Sequence, residues 1–399
     1  MTGQYRWLPS LRDLDEEQQN VIHNSLSKGR NLIYGPAGCG KTAILLYCAK
    51  TLQDLGKEYA VFVYTKVLYG FIKSALDDLE IPGTRVHRFY QWVYNLLKKY
   101  SLPIDESEER NSIWVDTLLR YFHEHPQKIP KFDFILVDEA QDFRENASKL
   151  LQMMSNNLFI AGDAAQSIYS SISSHDELVR LWAPIQNSYT LVKNYRNPKT
   201  VARLASLFLD PNSMEAEEFL RLVKGRDYEM KPVWFSVNNI NQQSQKIAEI
   251  VMQTRGAERI GILCRRKSNA TNLASILTNQ YKIKVQLAQN DNSDCQFNSA
   301  WPVITTIHSA KGLEFDCVII PYLDTHFWGN GDFHYSNERR LFFVAITRTK
   351  NRLFLISTEG NECFLIKEIL DKDPSLVQKP SSQSIHQKDK TLFIDDDPF

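Results

Sequence analysis

The chain has 399 residues, 43% of them hydrophobic and 24% charged, a globular composition that excludes a disordered or fibrous chain and is longer than one core ordinarily serves. Its 47 basic and 47 acidic residues cancel, which removes the strongly basic signature of a protein that grips nucleic acid by overall charge, so any such site must be local. No apolar run is long enough to span a bilayer, and the opening MTGQYRWLPSLRDLDEEQQ has no apolar signal segment. The six cysteines (Cys39, Cys48, Cys264, Cys295, Cys317, Cys363) show no C-x-x-C spacing, which argues against zinc and against a disulfide framework. The expectation is a cytoplasmic protein without membrane contact.

Residues 31–34 (NLIY) form a short apolar run, followed by a glycine-rich turn and the helical stretch TAILLYCAKTLQDLG. Strand-like runs recur at YAVFVYT (59–65), FDFILVDEAQD (132–142) and NLFIAGD (157–163), with helical segments between them. Apolar runs of this length separated by helices predict an α/β architecture with a parallel sheet covered on both faces. A second series starts near residue 190: KPVWFSV, RIGILCRR, PVITTIH and DCVIIPY read as strands, and KTVARLASLFL, NQQSQKIAEIVMQTR and SNATNLASILTNQ as helices. The organisation expected is therefore one α/β domain over 1–190, a second over 191–370, and a flexible tail over 371–399, where Ser, Gln, Lys, Asp and Pro dominate.

Gly35-Pro36-Ala37-Gly38-Cys39-Gly40-Lys41-Thr42 follows a strand and opens a helix. In that context G-x-x-x-x-G-K-[ST] wraps backbone N–H groups around phosphate, directs Lys41 to the outer phosphates and gives the Thr42 hydroxyl to Mg²⁺. ILVDEAQD supplies the other half of a hydrolytic site at a strand end, with Asp138 for the metal and Glu139 to orient or deprotonate water. The cofactors expected are ATP and Mg²⁺.

With five further segments, these motifs resemble the UvrD/Rep/PcrA-like helicases of superfamily 1, in that family's order and across most of residues 11–358. The resemblance implies two RecA-like P-loop NTPase domains. LDEEQQNVI is similar to the Q motif, in which Gln18 reads the adenine edge; GDAAQSIY resembles motif III, with Gln166 reaching toward the γ-phosphate. LVKNYRNP resembles motif IV, where Tyr195 stacks on adenine and Arg196 touches the γ-phosphate. ITTIHSAKGLEFDCVII resembles motif V, with Glu314 near the ribose, and ERRLFFVAITR resembles motif VI, whose Arg348 is a second arginine finger. For nucleic acid, the resemblance implies base stacking on Tyr64, contact at His87, and either strand contact or inter-domain coupling at His308. Cations delivered to the γ-oxygens by a second domain accelerate phosphoryl transfer and make it depend on domain closure.

The sequence also departs from the family. Ser171 stands where the larger helicases place a base-stacking tryptophan, and Ala43 where an arginine often lies on adenine. The intervals between Lys41 and Asp138 and between Arg196 and Thr305 hold no room for whole inserted domains; only ESEERNSIWVDTLLRYFHEHP remains of the first insertion. This is the pattern of a short two-domain motor on single-stranded DNA, with 3′ to 5′ movement implied by GDAAQSIY. The alternative is an ATPase switch that regulates a partner such as a nuclease, and an RNA track is the less favoured third reading. The tip Asp395-Asp396-Asp397-Pro398-Phe399 is similar to the acidic, Phe-terminated tips of bacterial single-stranded-DNA-binding proteins and offers a docking peptide, a fold-back segment, or a plain solubilising tail.

Overall fold

A computed structural model of the chain describes residues 8–163, 174–209, 216–224, 230–254, 256, 258–289, 295, 297, 299–328 and 335–380. They form two compact units that divide between Asn194 and Tyr195.

The first unit is built on six strands: β1 (Arg30–Tyr34), β2 (Tyr59–Val63), β3 (Val86–Arg88), β4 (Phe134–Val137), β5 (Leu158–Gly162) and β6 (Asn187–Thr190). Their order is β3-β2-β4-β5-β1-β6, and every pair is parallel. Helices on both faces explain the uniformly apolar central strands, since every residue of β2, β4 and β5 is buried. The edge strand β6 reads Asn-Ser-Tyr-Thr and buries none of its residues fully, so apolar patterning did not announce it. Asn187 secures it by donating from Nδ2 to Oδ1 of Asn31 on β1 at 2.9 Å.

Parallel strands put their C-terminal ends on one edge, where the connections carry the functional loops. Three neighbours, β4, β5 and β1, deliver to that edge the Asp138-Glu139 pair, Asp163 and the glycine-rich loop. The segment between β3 and β4 is not a vestige beside this fold. Its helix Arg110–Glu124 buries Val115, Leu118 and Phe122 completely, in one cluster with Phe62, Phe89, Val93 and Leu97.

The second unit repeats the plan with β7 (Val233–Val237), β8 (Ile260–Cys264), β9 (Gln286–Ala288), β10 (Val303–Thr306), β11 (Phe315–Ile320) and β12 (Thr349–Thr358). The order is β7-β12-β11-β8-β10-β9, again parallel throughout. The expected α/β class with two parallel sheets is what the chain forms. The expected tail, however, begins too early at 371. Helix Phe364–Lys372 crosses that position, and the strand β7 takes up the chain beyond it: Trp234 N–H donates to Gln378 O at 2.9 Å, Gln378 N–H donates to Pro232 O at 2.8 Å, and the Lys379 ammonium lies 4.7 Å from the centre of the Trp234 ring. A polar composition concealed this because the backbone, rather than an apolar stripe, makes the attachment. Residues 381–399, with the tip Asp395, Asp396, Asp397 and Phe399, lie outside the described residues. Among the described residues no helix is long and apolar enough to cross a membrane.

Gly261, the second residue of β8, is where the second sheet has no space. A Cβ there meets the Phe315 ring at 2.4 Å, and Phe315 is itself buried. Gly261→Ala is therefore expected to lower the stability of this unit by about 1–3 kcal/mol through overpacking, read as an earlier urea midpoint in its unfolding transition.

Candidate nucleotide site

The loop after β1 closes by left-handed backbone that glycine adopts at little cost: Gly38 has φ +80° and Gly40 φ +89°. Gly35 is fixed by space, since a Cβ would sit 2.5 Å from Leu191 O. Lys41 opens the helix Lys41–Asp54 and folds its ammonium back over the loop, donating to Gly35 O at 2.6 Å and Pro36 O at 3.0 Å. Phosphate oxygens would replace these carbonyls at little cost, because the cation is already held where the loop's N–H groups converge. Gln18 braces the loop from outside. Its Nε2 donates to Cys39 O at 3.0 Å, while its Oε1 accepts from Asp15 N–H at 3.0 Å and Asp15 Oδ1 accepts from Gln18 N–H at 2.8 Å. This reciprocal cap ties the helix Glu16–Asn24 to the residues around Cys39.

Thr42 and Asp138 meet across the sheet edge, the Thr42 hydroxyl donating to Asp138 Oδ2 at 2.9 Å. Asp138 is fully buried. Burial, then the neighbouring Glu139 charge, push its carboxyl well above the usual carboxylate range, against the bonds from Thr42 and from the Glu139 N–H. A hydroxyl and a destabilised carboxylate, both hard oxygen donors, suit Mg²⁺, which takes one or two protein oxygens and completes its shell with phosphate and water. A divalent cation would remove the electrostatic penalty that Asp138 carries. Among the described residues no group of three His, Cys, Asp or Glu side chains offers a competing metal site.

Glu139 adopts φ +51°, uncommon for a residue with a side chain. Its carboxylate accepts a short hydrogen bond from Gln141 Nε2, and Gln141 Oε1 accepts from Asp163 N–H at 2.9 Å. Gln141 is fully buried and so links the ends of β4 and β5. Sequence reasoning gave it no role. Its signal was a neutral amide between two acids in DEAQD, where a side chain that both donates and accepts joins groups of opposite need.

The second unit gathers its own cluster. Arg196 donates from Nε to Glu314 Oε2 at 3.0 Å and from Nη1 to Thr347 O at 3.3 Å. The Lys350 ammonium lies 2.5 Å from Glu314 Oε1. Burial alone would raise the Glu314 carboxyl, but Lys350 and Arg196 outweigh it and hold it down at about 2. Arg348, only 1% exposed, spends its guanidinium on Val344 O at 3.1 Å, Leu313 O at 3.3 Å and the Thr347 hydroxyl at 3.4 Å. Asn197, another residue without a predicted role, donates to Thr347 O and Thr349 O at 3.2 and 2.7 Å. Motifs that the sequence assigned to separate parts of a nucleotide are thus joined to one another directly. Tyr195 is 42% exposed. Gln166 and Ser171 lie outside the described residues.

Of the residues expected to meet nucleic acid, Tyr64 sets its ring edge-on to Tyr90 and Phe143, with centroids 5.6 and 5.8 Å away. His87, on β3, lies 5.4 Å from the Phe62 ring. Burial, and then Arg85, push its imidazole down to about 4, so it is a neutral ring at neutral pH. His308 is also shifted down by burial, with Arg265 adding to the effect. The first-unit pair therefore presents aromatic surface without charge.

Two outcomes follow. Gln141→Leu keeps the volume but removes the amide that holds Glu139 and the Asp163 N–H, so it should cost about 1–3 kcal/mol in urea unfolding and lower hydrolysis more than nucleotide binding. His87 loses stability as pH falls, because the unfolded imidazole takes up a proton near its ordinary value of 6.5 and the folded one only near 4. His87→Phe should flatten the stability profile between those two values, as measured by urea unfolding at a series of pH values.

Comparison with known proteins agrees with this order of parts. The family model described as an AAA domain matches residues 18–171, and that described as the UvrD-like helicase C-terminal domain matches residues 279–360. A probable DNA helicase of Mycoplasma pneumoniae is 28% identical over 240 residues, 56% of this chain and 43% of its own. A probable DNA helicase II homolog of Mycoplasma capricolum is 29% identical over 225 residues, 54% of this chain and 30% of its own. The chain matches less than half the length of either relative. The C-terminal domain of a protein described as a possible DNA helicase from Lactobacillus plantarum superposes on 47% of this chain and 99% of its own at a TM-score of 0.35 and 17% identity, too loosely to bear on the site. The phosphate loop and the Asp138-Glu139 strand end fall within the first matched stretch, and Glu314 and Arg348 within the second; over these two stretches the chain is similar to the UvrD-like helicases.

Proposed function

We propose that the chain is an ATP-driven motor on single-stranded DNA, moving 3′ to 5′ as ATP hydrolysis opens and closes its two RecA-like units. The observation that carries the reading is the meeting of Thr42 with Asp138 at 2.9 Å, beside a Glu139 held in a left-handed conformation. That combination supplies hydrolysis as well as binding. The glycine-rich loop and Lys41 hold the phosphates, and Thr42 and Asp138 hold Mg²⁺. When bound, the ion neutralises charge that develops on the phosphate oxygens. Glu139, oriented by Gln141, directs a water at the γ-phosphorus and accepts its proton. Gln166 senses the γ-phosphate, while Arg196 and Arg348 stabilise its equatorial oxygens and Tyr195 stacks on the base. Gln18 couples adenine recognition to the loop it already braces, and Glu314 meets the ribose.

Tyr64, His87 and His308 form the track contacts. Stacking on neutral aromatic surface is tolerant of sequence, as a translocating motor requires, and it suits a chain with no net charge. The relatives' designation as DNA helicases supports DNA as the track.

The test is steady-state ATPase activity of the purified chain alone and with single-stranded DNA of increasing length. A rate that rises with DNA and again with length is expected; indifference to DNA would overturn the motor reading. Lys41→Ala should abolish hydrolysis. Both arginines bond groups of their own unit, but Arg348 is only 1% exposed and the Arg196 side chain 13%, so Arg196→Ala disturbs the packing less and is the cleaner probe of cation supply: a loss on the order of a thousandfold in kcat, with nucleotide affinity changed only a few-fold in a fluorescent-ATP titration.

A further inference from the structure

Glu314 divides its two carboxylate oxygens between two cations: Oε2 takes Arg196 Nε at 3.0 Å and Oε1 takes Lys350 Nζ at 2.5 Å. The side chains of Glu314 and Arg196 are only 16% and 13% exposed, and Lys350 is the more open of the two cations at 26%. Lys350 is the second residue of β12, two residues after Arg348, and the motifs assign it no function. From this geometry we infer that Lys350 is a positioning residue for hydrolysis: it carries the charge of Glu314 so that the Arg196 guanidinium can leave for the nucleotide without stranding a buried carboxylate. The inference rests on the reading of Arg196 as a γ-phosphate contact.

The physical argument is one of what remains behind. A buried carboxylate that keeps one of two cations is still a compensated pair, whereas one that loses its sole partner is an uncompensated buried charge, the arrangement that costs most in a protein interior. With Lys350 present, moving Arg196 changes the pairing from two cations to one. Without it, the same movement changes one to none, and Arg196 is trapped on Glu314. The local backbone is suited to a movement of the guanidinium alone. Asn197 is fully buried and clamped to Thr347 O and Thr349 O, so the chain beside Arg196 stays fixed. Its bond to Thr347 O is a long one, 3.3 Å, to an oxygen that Asn197 continues to bond. Lys350 cannot take over the role of Arg196 at the nucleotide, because its ammonium is the group that must stay.

The experiment uses the full chain and DNA-stimulated ATP hydrolysis, with kcat and KM determined for wild type, Lys350→Met, Lys350→Arg, Glu314→Gln and the double variant Lys350→Met/Glu314→Gln. Lys350→Met is expected to lower kcat at least tenfold while affinity for a fluorescent, non-hydrolysable ATP analogue changes less than threefold. Lys350→Arg should recover most of the rate, and the double variant, which no longer has a carboxylate to compensate, should hydrolyse as fast as Glu314→Gln alone. A merely structural lysine predicts the opposite for that pair, with the double variant slower than Glu314→Gln by the factor seen for Lys350→Met in the wild-type background. That result overturns the inference, as does a wild-type kcat in Lys350→Met, or a raised KM with unchanged kcat, which makes Lys350 a direct nucleotide contact. If Lys350→Met does not fold, the comparison of the double variant with Glu314→Gln decides alone. A wild-type chain that hydrolyses no ATP overturns the functional reading and this inference together, whereas an active wild type with an indifferent Lys350→Met overturns only the inference.

Discussion

The buried carboxylate of Asp138 is the constraint around which the first unit is arranged. It is placed at the end of β4, wholly out of solvent, with a second acid next in sequence and a threonine hydroxyl as its side-chain bond. Such a group destabilises the fold at neutral pH, since burial and like charge both favour its protonated form. A parallel sheet tolerates it because the neighbouring strands are apolar along their whole buried length, and because Gln141 fixes Glu139 and the β5 end in one arrangement. Stability is sacrificed at the point where, in the proposed function, a cation and phosphates are received, the common trade at active sites.

The second unit solves the reverse problem. Glu314 is also a carboxylate with little access to solvent, 16%, yet its charge is satisfied twice over and its carboxyl is held at about 2. One unit therefore presents an acid short of cations, and the other an acid with a surplus of them. In the proposed cycle the nucleotide is what both imbalances act upon. Its metal relieves Asp138, and its γ-phosphate competes with Glu314 for Arg196. Neither unit needs a large net charge for this, which is consistent with 47 basic residues balancing 47 acidic ones.

Legibility in the sequence followed physical demand. The glycine-rich loop, Lys41, Thr42, Asp138 and Glu139 were readable because phosphate and metal chemistry restrict residue type and spacing together, and the central strands because burial on both faces leaves them wholly apolar. Three of the four edge strands were not readable, since β3 and β9 have three residues each and β6 is polar; the fourth, β7, was, because it buries Val233, Trp234 and Phe235. β12 was missed because its ten residues open on Thr-Lys-Asn-Arg before the apolar stretch, so that the motif preceding it masked the strand. Gln141, Asn197 and Lys350 escaped for a shared reason. Each bonds another side chain or a backbone carbonyl, and such contacts exist only once folding has brought β4 to β5, or the segments around Asn197 and Glu314 to the start of β12.

The same distinction bears on the proposed track contacts. Tyr64 and His87 were singled out as residue types that meet nucleic acid, but their surroundings decide what they offer. His87 packs on Phe62 and is neutral far below neutral pH, and Tyr64 is framed edge-on by Tyr90 and Phe143. Neither presents a cation to phosphate. What they share is membership of, or contact with, the aromatic core that also holds Phe89 and Trp92, so a base stacked there would rest on a surface backed by the rigid sheet. Grip of this kind is weak per nucleotide and little affected by sequence. For the proposed motor, which would release each base as readily as it takes the next, an uncharged aromatic platform is better suited than a row of lysines, whose hold on the phosphates would resist every step.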